Sequence, residues 1–150
     1  MAVKPIPEGY HSITPLLVPE RAGKLIDFLK QAFDAKELHR MTAPDGAVMH
    51  AELSIGDSRV MLGEATGEHK PMPCSLYLYV PDADAIYKRA VQAGAATVME
   101  LGDQFWGDRA GSVRDPAGNI WWIATHKEDV APEEMRRRAQ AAMGQRTAGR

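Results

Sequence analysis

Only one cysteine, Cys74, stands in the 150 residues. No intrachain disulfide can form, and the chain reads as one for a reducing compartment. Neither sign of charge prevails: 18 Lys and Arg against 20 Asp and Glu give a net charge of −2, which leaves no basic face for nucleic acid. Apolar runs are short. None nears the roughly 18 residues of a membrane span, and MAVKPIPEGYH lacks the apolar centre of a signal peptide. A glycine-rich phosphate loop is missing too, because Gly102, Gly107 and Gly111 have neither the spacing nor a following helix. These absences point to a cytoplasmic protein that binds neither nucleic acid nor membrane. Aromatic residues are scarce at 7%, so the placement of all three tryptophans, Trp106, Trp121 and Trp122, within one short stretch is informative.

What the chain does have is a middle written twice. Val18-Pro19-Glu20 and Val80-Pro81-Asp82 are 62 positions apart, as are Gly46 and Asp108, and Gly56 and Gly118. One offset aligning a strand exit, a helix and two turns indicates a duplicated supersecondary unit. In the first copy His11–Val18 reads as a strand, with Pro15 as a sign of an edge or bulge. Residues 21–33 read as a helix, since Leu25, Phe28, Leu29, Ala32 and Phe33 share one face. Lys36–Ala43, Val48–Ile55 and Ser58–Gly63 follow as strands, divided by the turn formers Pro44-Asp45-Gly46 and Gly56-Asp57. The polar stretch 64–73 joins the halves.

The second copy repeats this order. Cys74–Val80 is its opening strand, and Cys74 reads as a small buried hydrophobe rather than a nucleophile. The helix that follows has Asp82 as N-cap, Ala83, Ile86, Tyr87 and Ala90 on one face, and Gly94 as its stop. The matching stop in the first half falls near Asp34. Three strands, Ala96–Leu101, Arg109–Arg114 and Ile120–Thr125, complete the copy. The expected organisation is one domain over residues 1–126, built of repeats at about 11–63 and 73–125, and a helical tail over 127–150. Pro132 suits the first position of that tail helix, and Glu133–Arg137 and Glu134–Arg138 have favourable i, i+4 spacing. Arg136–Arg138 read as a solvated helix end, and GQRTAGR as a frayed terminus.

Two strand–helix–strand–strand–strand copies, with Asp115-Pro116-Ala117-Gly118-Asn119 leading into Ile120-Trp121-Trp122-Ile123, resemble the vicinal oxygen chelate superfamily of glyoxalase, bleomycin-resistance and extradiol dioxygenase proteins. The stretch from Trp106-Gly107-Asp108-Arg109 to Trp122 is similar to its PhnB-like, glyoxalase-like subgroup. The resemblance covers about residues 10–126. It implies an α+β fold of tandem βαβββ modules, each a curved mixed sheet with its helix on the convex side and a cavity between concave faces. It also implies a homodimer, because sheet edges need covering.

Strand alternation then assigns faces. Leu76, Leu78 and Val80 lie under the helix, and Ser75, Tyr77 and Tyr79 face the cavity. The 62-residue offset puts Ile13, Pro15 and Leu17 on the equivalent face of the first strand. Trp121 and Trp122 point to opposite sides, with Trp122 assigned to the cavity. With Tyr77, Tyr79 and Trp106 it makes an aromatic wall for a flat or apolar ligand, unless the rings fill the cavity themselves. Asp108, Arg109, Arg114 and Asp115 either form a polar rim, with Arg109 as a ligand contact, or pair with one another at the turns.

The metal enzymes of the superfamily take one His or Glu ligand from each opening and each closing strand. Carried onto this chain, those positions are Ile13, Ser75, Val60 and Trp122, which are not metal donors of the required kind. The expectation is therefore no metal and no cofactor. The alternative is a divalent metal held by a non-standard set from His11, His50, Glu52 and Glu64. His50 and Glu52 also have the chemistry of a general base and its orienting carboxylate, if their strand face is the cavity; if it is solvent, they are two polar strand residues. His39, His69 and His126 read as surface residues. The leading expectation is a protein that binds or sequesters a small apolar or aromatic molecule. The alternatives are a metal-dependent lyase, isomerase or dioxygenase, and an interaction module whose cavity has closed.

Overall fold

A computed structural model describes residues 2–149. The elements run β1 (Leu16–Leu17), α1 (Ala22–Phe33), β2 (Lys36–Thr42), β3 (Val48–Ile55), β4 (Ser58–Leu62), β5 (Ser75–Tyr79), α2 (Ala83–Gln92), β6 (Ala96–Asp103), β7 (Asp108–Arg114), β8 (Ile120–His126) and α3 (Pro132–Ala148). Two four-stranded sheets result, ordered β1-β4-β3-β2 and β5-β8-β7-β6. Each has one parallel pair, β1 with β4 and β5 with β8. The strand order is thus the same in both halves, which is the α+β fold that the duplication implies. Among the described residues no helix is long and apolar enough to cross a membrane.

Local chemistry explains the boundaries. Asp82 caps α2 by accepting the Ala85 N–H at 3.2 Å, and Gly94 at φ +112° ends it in the left-handed region open to glycine. In the first half Asp34 takes the same role at φ 56°. The first strand is shorter than its apolar run. Pro15 has no N–H for the ladder, although its carbonyl accepts Met61 N–H at 2.9 Å, so pairing begins at Leu16. The arm before it lies against the first sheet instead. There Tyr10 donates its hydroxyl to Glu52, and Arg59 Nε reaches Gly9 O at 3.3 Å. At the other end, α3 continues to Ala148, so the terminal GQRTA is helical rather than frayed. Glu134 pairs with both Arg137 and Arg138, and the expected Glu133–Arg137 pair gives way to the shorter i, i+3 reach of Glu134.

The core lies between the two sheets. Leu25, Ile26 and Leu29 of α1, Leu53 of β3, Leu62 of β4 and Ile123 of β8 are all fully buried in one cluster. α1 and α2 pack side by side within it, and Phe33 of α1 meets Trp121 of β8 at 4.8 Å between ring centroids. The other face of each sheet turns outward. All seven residues of β2 are exposed, as are Leu16, Tyr77 and Tyr79.

The 62-residue offset does not hold through the closing hairpins. Ile55 pairs with Ser58 across a two-residue turn, whereas Arg114 pairs with Ile120 across the five residues Asp115–Asn119. Gly56 and Gly118 therefore sit at different places in their turns, and counting from them shifts the register by one. In the sheets Leu17 pairs with Leu62 as Leu78 pairs with Ile123, an offset of 61. A one-residue shift exchanges the two faces. Leu17 and Val60, expected on the cavity side, are buried under the helices, and Leu16 and Met61 face outward in their place.

Candidate functional site

The second sheet's outward face carries the larger constellation. Registers place Tyr77, Trp122 and Ser112 in one row across β5, β8 and β7, and Tyr79, Ala124 and Ala110 in the next. Tyr77 stacks on Trp122 at 5.9 Å with 15° between planes. Trp106 stands edge-on to Trp122 at 6.3 Å, and Tyr79 leans on Tyr77 at 5.2 Å. Ser75 shares the face but is exposed at the far end of β5. Trp121, of opposite parity, is buried against Phe33, and its indole N–H donates to Asp115 Oδ2 at 2.8 Å. Asp115 also accepts backbone N–H groups from Ala117 and Asn119. The turn motif thus fixes both the start of β8 and which tryptophan goes inward.

Asp108, expected either in a polar rim or paired with a neighbour at a turn, is the hub of this face. It is 2% exposed. Its Oδ2 accepts the Tyr77 hydroxyl at 2.7 Å, the Tyr79 hydroxyl at 2.9 Å and the Trp106 indole N–H at 3.2 Å. Its Oδ1 lies 2.7 Å from His126 Nδ1, and His126 Nε2 lies 2.8 Å from Asp129 Oδ1. Burial alone would raise the Asp108 carboxyl; hydrogen bonds from His126, Tyr77, Tyr79 and Trp106 outweigh it and hold the group below the usual carboxylate range. Burial, then the bond to Asp108, pushes the Tyr77 phenol up to about 12. Both effects keep the tyrosines neutral, as hydrogen-bond donors rather than bases. His126 is raised by Asp129 first and Asp108 second. His126 is exposed, as expected of a surface residue, yet it is doubly paired, because the last residue of β8 falls opposite Asp108 in the ladder.

α3 roofs part of this wall. Together they enclose a pocket of about 370 Å³ whose lining includes Met99, Phe105, Trp106, Trp122 and, from α3, Ala142 and Arg146. Arg109, expected at the ligand, turns the other way. One residue from Asp108 on the same strand, it takes the opposite face and forks onto Asp84 of α2 at 2.8 and 2.9 Å.

The first sheet's outward face brings together a different set. His39 stands opposite Glu52 on neighbouring strands. His50 Nε2 is 4.0 Å from Glu52 Oε2, and His39 and His50 have ring centroids 6.5 Å apart. Glu52 is engaged by Tyr10, whose phenol is pushed up to about 12 by burial and this bond. The remaining fallback residues do not join them. His11 is exposed on the arm, and Glu64 accepts the Val48 N–H at 2.8 Å, tying the end of β4 to the start of β3. Among the described residues, no three His, Cys, Asp or Glu side chains converge as a metal site would require. With the corrected register, the superfamily's ligand positions fall on Thr14, Met61, Ser75 and Trp122, a set without imidazole or carboxylate that does not fit a divalent metal.

Comparisons with known proteins agree with this architecture. The chain is 40% identical over 143 residues to the uncharacterized protein Mb0911c of Mycobacterium bovis, across 88% of this chain and 91% of that one. The crystal structure of TioX from Micromonospora sp. ML1 matches with a TM-score of 0.64 and 28% identity, over 77% of this chain and 99% of that one. The PhnB protein from Bacillus cereus shares the fold, with a TM-score of 0.60 at 18% identity over 77% of this chain and 99% of that one. Residues 11–123 match the family profile of these folds, and the chain belongs to the Glyoxalase/Bleomycin resistance protein/Dioxygenase superfamily.

Proposed function

We propose that the protein binds a small planar aromatic or apolar molecule against the wall of Tyr77, Trp106 and Trp122, and that it does so without a metal. One observation carries this reading: Tyr77, Tyr79 and Trp106 all donate to Asp108 Oδ2. Their ring planes are thereby fixed before any ligand arrives, and preorganised rings lose little entropy on binding. The pocket beneath α3 is open beside Trp106 and Trp122 and has about 370 Å³ for an occupant, within the usual range for small-molecule sites. That volume argues against a cavity closed by its own side chains.

A second copy of the chain is the partner this reading expects. Both outward sheet faces carry exposed apolar side chains, Leu16 and Met41 on one and Tyr77 and Tyr79 on the other, and a homodimer would cover them. The metal-dependent alternative draws its support from His50 and Glu52 on the first sheet. It is weakened by the engagement of Glu52 with Tyr10.

The test is titration of the purified protein with planar aromatic compounds, read by tryptophan fluorescence and calorimetry, in parallel with elemental analysis. Saturable quenching that is lost in Trp122→Ala, with substoichiometric metal, is the expected result. Stoichiometric metal, together with an activity that disappears in His50→Ala, would replace this reading by the enzymatic one. Light scattering at high micromolar concentration should return the mass of a dimer.

A further inference from the structure

The pocket under α3 has a polarity that stacking alone does not require. We infer that its ligand is an aromatic anion, whose ring lies against Trp106 and Trp122 and whose acidic group meets Arg146. This rests on the reading above, that the wall takes a planar ring, and adds the charge of the molecule.

Arg146 is the one ionisable side chain in the lining, and no acidic residue shares it. Ala139, Ala142, Met143 and Arg146 are spaced i, i+3, i+4 and i+7, so they form one stripe of α3, and this is the stripe that lines the pocket. A cation in a helix's last turn favours the macrodipole wherever it points; that accounts for the charge but not for its place in the lining beside Trp106 and Trp122. Arg137 and Arg138 are committed elsewhere, to Glu134 and, for Arg138, also to Glu128. Arg146 meets no carboxylate within ion-pair distance among the described residues.

The other polar groups nearby leave the anion to Arg146. Gln104 donates its amide hydrogens to Gly102 O at 3.3 Å and Ala110 O at 3.0 Å, so neither is left for a ligand. The Asp108 charge behind the wall is 2% exposed and is met by His126, which limits its repulsion of an incoming anion. A guanidinium holds a carboxylate through paired, charge-assisted hydrogen bonds.

Calorimetry on the full-length protein with 1-naphthaleneacetate and its neutral amide, 1-naphthaleneacetamide, tests the inference. The two probes share a ring and differ in charge. The wild type should prefer the acid by about tenfold, the order of one charge-assisted contact at a partly screened site. In Arg146→Gln the acid should fall to the level of the amide. Arg136→Gln, which removes the same charge from a residue outside the lining and about 15 Å away along α3, should keep the preference. Equal binding of both probes by the wild type, or a preference that survives Arg146→Gln, overturns the inference and leaves the aromatic-wall reading standing. If neither probe binds, the wall reading falls and the inference with it.

Discussion

Replacing Asp108 by asparagine removes one charge at nearly constant volume and so tests the hub directly. The wild-type carboxylate receives Tyr77, Tyr79 and Trp106 on Oδ2 and His126 on Oδ1. Hydrogen bonds to a charged group contribute about 1.5–3 kcal/mol each, against about 1 for neutral pairs. Four bonds losing about 1 kcal/mol apiece would cost about 4 kcal/mol. Tyr79 is 60% exposed, which screens its share, and the amide avoids the desolvation that a carboxylate suffers. The net loss should be about 2–3 kcal/mol in urea unfolding at pH 7. pH supplies an internal control. Because the folded state holds the Asp108 carboxyl below its ordinary value, its contribution is complete above the unfolded pKa of about 3.9 and fades as pH falls through the lower folded value. The gap between wild type and Asp108→Asn should therefore be constant from about pH 6 to 5, where His126 is fully protonated, and shrink below about pH 4. A gap under about 0.5 kcal/mol at pH 7, no larger than an ordinary surface substitution, or one unchanged on acidification, would refute the account of Asp108 as a charged hub.

Trp121→Ala should destabilise the fold by about 3–5 kcal/mol, the usual cost of emptying a core aromatic site, while Trp122→Ala should cost less and abolish ligand quenching; the reverse order in denaturant melts would place β8 in the opposite register. Asp34→Gly should stabilise the protein by about 0.5–1 kcal/mol, since glycine occupies the φ 56° helix end without a Cβ penalty, seen as a raised Tm. His126 has a folded pKa above its ordinary value, so the stability it adds is complete below about pH 6.5 and is lost as pH rises through the raised value. Urea melts at pH 6 and pH 8.5 should show wild type losing its advantage over His126→Gln at the higher pH.

Much of the fold was legible because it rests on local rules. Alternation along β3 and β8, the Asp82 cap and the Asp115–Asn119 turn each state their structure in a few residues. Trp121 and Trp122 were separable by parity for the same reason. Asp108 and His126 were not, since their significance lies in a ladder pairing between β7 and β8 that no local pattern encodes. Arg109 misled because one residue along a strand reverses the face. The slip from 62 to 61 was hidden by matching landmarks: Val18 and Val80 are 62 apart, whereas Leu17 and Leu78, and the helix starts Ala22 and Ala83, are 61 apart. Pro15 marked a disturbed first strand, but how far pairing would retreat depended on where Tyr10 and the arm came to lie.

The anchorage of α3 has a consequence for how the pocket responds to its solution. No residue of this helix is buried. Backbone bonds from Lys127 and Glu128 to the Gly107 carbonyl hold the leading segment, but the side-chain ties of the helix and that segment are charged: Arg138 to Glu128 and to the Phe105 carbonyl, and Asp129 to His126. Exposed pairs of this kind weaken as the Debye length contracts from about 8 Å at physiological ionic strength to about 3 Å at 1 M. The apolar core between the sheets has no such dependence. Concentrated sodium chloride should thus loosen the roof while the body stays folded, so that amide exchange quickens along α3 alone and the aromatic wall is laid bare without denaturant.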